Sequence, residues 1–83
     1  MSEIPEKITD AFKVLDADLA GALVEALEPV AAELGDREQA VLERLANGIA
    51  TGAKPAELNA FVRLLPVTVS RAVQPVLEPV LAA

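Results

Sequence analysis

Residues 4–34 read IPEKITDAFKVLDADLAGALVEALEPVAAEL. Within them Ile4, Ile8, Phe12, Leu15, Leu19, Leu23, Leu27, Val30 and Leu34 recur in steps of three or four, the spacing that gathers side chains on one face of an α-helix. The pattern predicts amphipathic helix, with Pro5 in a first turn, Ser2 or Glu3 just outside it, and Gly35-Asp36 as a stop. It does not predict one straight rod. Asp16 and Asp18 can cap a fresh start, while Pro29 deletes one internal hydrogen bond and pushes Glu28 away from helical geometry. A break near 15–18, a kink near 28, or both, are expected.

Beyond this ladder, Asp36 is expected to cap a helix running through Glu38, Val41, Leu42, Leu45 and Ile49. Gly48, Thr51, Gly52 and Ala53 are expected to form its frayed end and a turn. Lys54-Pro55-Ala56-Glu57 then starts another helix, with Pro55 at the first helical position, Glu57 in the first turn, and Leu58, Phe61, Val62 and Leu65 as the buried face. Pro66 ends or redirects it. In the last stretch, LLPVTVSRAVQPVLEPVLAA (64–83), Val69, Val73 and Val76 keep helical spacing, yet Pro75 and Pro79 each remove a donor at about 3 kcal/mol inside a helix. Residues 67–74 are therefore predicted helical. Residues 75–83 read either as a kinked continuation or as an extended, polyproline-like arm sharing Leu77, Val80 and Ala83 on one face. The tetrapeptide Leu-Glu-Pro-Val occurs at both 27–30 and 77–80, too short an echo to be a structural repeat. The fold expected is a single all-α domain over residues 1–83, a small bundle of four to five short helices with proline kinks and a C-terminal apolar arm.

An 83-residue chain hides only roughly 60–65% of its surface on folding. Apolar residues nevertheless make up 53% of it, more than a core of that size readily absorbs, so the excess predicts self-association or a partner. Cysteine and histidine are absent, which excludes disulfides, thiolate chemistry, imidazole acid-base catalysis and ordinary zinc sites. Net charge is −6 but lopsided: residues 1–43 hold eleven acids and three bases, residues 44–83 two acids and four bases. The acidic half discourages nucleic acid and anionic membrane, and reads as a solvated face. The longest run without a charged residue, Leu45 to Ala53, is far short of the roughly 20 needed to span a bilayer. MSEIPEK lacks the apolar core of a signal peptide, so a cytoplasmic or particle-associated location is expected.

Motifs that could carry chemistry fall short of it. Asp16-Ala-Asp18-Leu-Ala20-Gly21 opens like a calcium loop, but the fifth position is Ala20 and the twelfth, which should be a bidentate glutamate, is Leu27. No histidine stands ready to activate Ser2, Ser70, Thr9, Thr51 or Thr68, and Lys7, Lys13 and Lys54 occupy charged or turn contexts rather than the apolar pocket that a nucleophilic lysine needs. Carboxylate pairs such as Glu25 with Glu28 belong to an acidic helix facing solvent. Gly48 and Gly52 are not followed by the G-K-[ST] of a phosphate loop.

Val67-Thr68-Val69-Ser70-Arg71-Ala72-Val73 resembles the recognition helix of LacI-type helix-turn-helix repressors, which often read T-V-S-R before a small and an aliphatic residue. Residues 57–65 resemble the supporting helix. The likeness covers about seventeen residues; the chain lacks the family's turn glycine, has Pro66 in place of a G-V-S turn, and is about one residue short between Ala60 and Thr68. The resemblance implies that Thr68, Ser70 and Arg71 would face DNA.

The expected function is a non-enzymatic interaction or assembly subunit, homo-oligomeric or part of a larger particle such as a virion or other protein shell. It would need no cofactor, metal or small-molecule substrate. Phe61, Leu65, Val69, Val73, Val76, Leu77, Val80 and Leu81 are the expected interface, turned toward a second copy or a larger protein partner. Alternatives are a small DNA-binding regulator with 67–73 as reader, and an acidic, antitoxin-like inhibitor that uses the acidic half.

Overall fold

A computed structural model describes residues 4–81, and these form five α-helices joined by short turns. Helix α1 (Glu6–Ala11) runs into a 3-10 turn, Phe12–Val14, and Leu15 then turns extended, with φ −93° and ψ 163°. The chain restarts as α2 (Ala17–Leu27). Asp16 caps it: its Oδ2 accepts from the Asp18 N–H at 3.1 Å, using one of the four donors that a helix start leaves without partners. Asp16→Ala is accordingly expected to cost about 1 kcal/mol, read as a lower urea midpoint with an unchanged denaturant slope.

After Leu27 the backbone tightens into a 3-10 segment, Glu28–Glu33, in which Val30 leaves helical geometry at φ −114°, ψ 16°. Helix α3 (Asp36–Thr51) comes next. Its start differs from the sequence expectation: Gly35 holds the capping position and Asp36 is the first helical residue. The reason is that Glu38 reaches back, its Oε1 accepting from the Gly35 N–H at 3.0 Å, while Gln39 Nε2 donates to the Leu34 carbonyl at 2.9 Å. At the far end Gly52 takes φ 78°, and the Ala53 N–H reaches the Gly48 carbonyl at 2.8 Å, a Schellman ending that needs a left-handed residue.

Helix α4 (Pro55–Arg63) starts on Pro55, as its sequence predicts, and crosses α3 closely. A Cβ added at Gly48 would stand 2.9 Å from a Leu58 methyl, so this glycine sets how near the two helices come. The chain then turns through Leu64, Leu65 and Pro66 into α5 (Val67–Leu81), which packs on α2, α4 and the 28–33 segment. Pro75 and Pro79 lie inside α5, and residues 75–81 are helical rather than extended. Ser2, Glu3 and Ala83 lie outside the described residues.

The core explains why α5 continues through its prolines. Val69, Val73 and Leu77, four residues apart, are completely buried and face Leu23 and Leu27 of α2 in one cluster with Ile8, Phe12, Leu42, Leu45, Leu58 and Val62. Pro75 and Pro79, also four apart, are on the opposite, exposed face. A proline has no N–H to give the carbonyl four residues before it, here those of Arg71 and Pro75, and the rings that cause the loss stand on the side of the helix away from the core. The radius of gyration, 11.3 Å, is that of a closed globule of this length, for which about 12 Å is usual.

Candidate interaction surface

The turn that redirects the chain after α4 leaves two large apolar side chains exposed, and is called the tip. The Leu64 N–H donates to the Phe61 carbonyl at 3.0 Å and the Leu65 N–H to the Val62 carbonyl at 3.1 Å, so α4 closes in a tightened last turn. Pro66 then holds the start of α5, its carbonyl accepting from the Ser70 N–H at 2.9 Å. Successive side chains in so short a turn cannot all face inward. Leu65 enters the core, while Leu64 before it and Val67, just past the half-buried Pro66, remain 51% and 62% exposed.

The eight residues that the sequence marks as an interface are divided by this fold. Leu65, Val69, Val73 and Leu77 are buried inside the chain's own core, so they are not a free docking face: the helical stripe they form is already covered by α2 and α4. Phe61, Val76, Val80 and Leu81 are half-buried at its edge. Phe61 lies one turn before Leu64, with its ring 3.8 Å from where a Cβ at Gly48 of α3 would stand, whereas Val80, thirteen residues along α5 from Val67, is about 20 Å away from it. Leu64 and Val67 are not among those eight residues, yet they are the exposed ones of this turn. The signal was there: once Val69, Val73 and Leu77 are taken as the inward stripe, Val67 falls off it, and Leu64 and Leu65 cannot both bury.

The polar surroundings are sparse. The Thr68 hydroxyl donates to Glu33 Oε1 at 2.6 Å, tying the first turn of α5 to the 28–33 segment, and the Ser70 hydroxyl bonds the Val67 carbonyl at 3.1 Å. Arg71 is exposed, beside a shallow groove of about 240 Å³ that it lines with Gln74, Pro75 and Glu78. Of the three residues that the repressor likeness would aim at DNA, Thr68 therefore has its hydroxyl on a carboxylate and Ser70 has its own on the backbone. Lys13 is held above its ordinary pKa by its hydrogen bond to Asp10, with that carboxylate's charge adding to the effect. Asp16, the first residue of the calcium-like stretch, is occupied as a helix cap.

Among the described residues, no three acidic side chains gather into a group that could hold a metal ion, and no helix is long and apolar enough to cross a membrane. No protein-family model matches the chain, and no curated protein or solved structure matches it.

Proposed function

We propose that this chain is a non-enzymatic interaction or assembly subunit that docks through the tip made by Leu64, Pro66 and Val67, with Phe61 as its inner edge. One observation carries the reading: Leu64 and Val67 are both more than half exposed, three residues apart across the α4–α5 turn, although seventeen apolar side chains among the described residues are buried. Two aliphatic side chains in water are tolerable, but covering them gains about 25 cal/mol per Å². Arg63, next to Leu64, and Arg71, one turn beyond Val67, give the patch a charged rim of the kind that fixes orientation at protein interfaces.

The test is mass in solution. Light scattering on the 8.7 kDa chain should give a concentration-dependent mass above that of the monomer, and Leu64→Gln/Val67→Gln should return it to monomer without lowering its melting temperature. A wild-type chain that stays monomeric at every concentration overturns self-assembly.

A second reading rests on α4, the three-residue turn and α5, which keep the helix-turn-helix order with Thr68 and Arg71 exposed. On that reading α5 enters the major groove of duplex DNA. It requires a salt-dependent duplex shift that Arg71→Ala weakens; no shift at low salt removes it.

A further inference from the structure

We draw no further inference here: the strongest candidate, the exposed apolar surface of Val14 in the 3-10 turn after α1 and of Leu64 and Val67 at the α4–α5 turn, carries none because nothing in the structure shows what covers it.

Discussion

A chain ending after Gln74 is expected to lose its cooperative thermal transition. Such a truncation takes away Leu77, which has no exposed surface, together with the half-buried Val76, Val80 and Leu81 that pack around it. Removing one fully buried leucine side chain costs about 2–5 kcal/mol. The whole fold, at 83 residues, is worth only about 4–12 kcal/mol. The loss of the helix end that covers α2 therefore consumes most of what stability there is. Leu77→Ala in the intact chain separates the packing of one side chain from the loss of a segment. It should lower the urea unfolding free energy by about 2–5 kcal/mol while leaving helix content at low urea near that of the wild type. If truncation instead left the melting curve unmoved and abolished association, residues 75–83 would be a docking arm after all.

Phe12→Ala should be as damaging, at about 3–5 kcal/mol. Phe12 is 1% exposed and sits in the 3-10 turn that packs on α1, α2 and α3, so its ring belongs to the core where these helices meet. Neighbouring aliphatics cannot collapse into the vacated space without moving the turn, because Leu15 beyond it is extended and Asp16 is fixed as the cap of α2. Phe12→Leu, which conserves most of the volume, is expected to cost less than about 1.5 kcal/mol. Equal losses from the two substitutions would mean that the ring is not packed as described.

How far the sequence revealed this fold depends on whether a signal was local. The apolar ladder from Ile4 to Leu34, the restart at Asp16, the stop at Gly52 and the start at Pro55 are written in neighbouring residues, and the helices obey them. The cap of α3 was legible to within one residue, because Asp36 is a good capping type but the Glu38 carboxylate selects Gly35. The tetrapeptide Leu-Glu-Pro-Val shows where locality fails. At 27–30 it closes α2 into a 3-10 segment, and at 77–80 it continues an α-helix. Both leucines are wholly buried, so burial alone does not choose. The flanking chain does: Val30 precedes a segment that must turn at Gly35, whereas Val80 extends a stripe already anchored by Val69, Val73 and Leu77. The exposed aliphatic residues of the α4–α5 turn were hidden for a related reason. An aliphatic stripe reads the same whether it meets a second copy or the chain's own α2, and only the tertiary arrangement assigns Val69 and Val73 to the latter while leaving Leu64 and Val67 outside.

The pairing of α2 with α5 also sets a schedule for biosynthesis. Leu27 and Leu77 are both enclosed in the finished domain, yet fifty residues of translation separate them. At 5–20 residues per second the greasy side of α2 waits roughly 3–10 s on the ribosome before the helix that shields it has been made. During that interval Leu23 and Leu27 have no α5 to cover them, and the eleven acids of residues 1–43 supply the like charge that opposes contact between neighbouring chains.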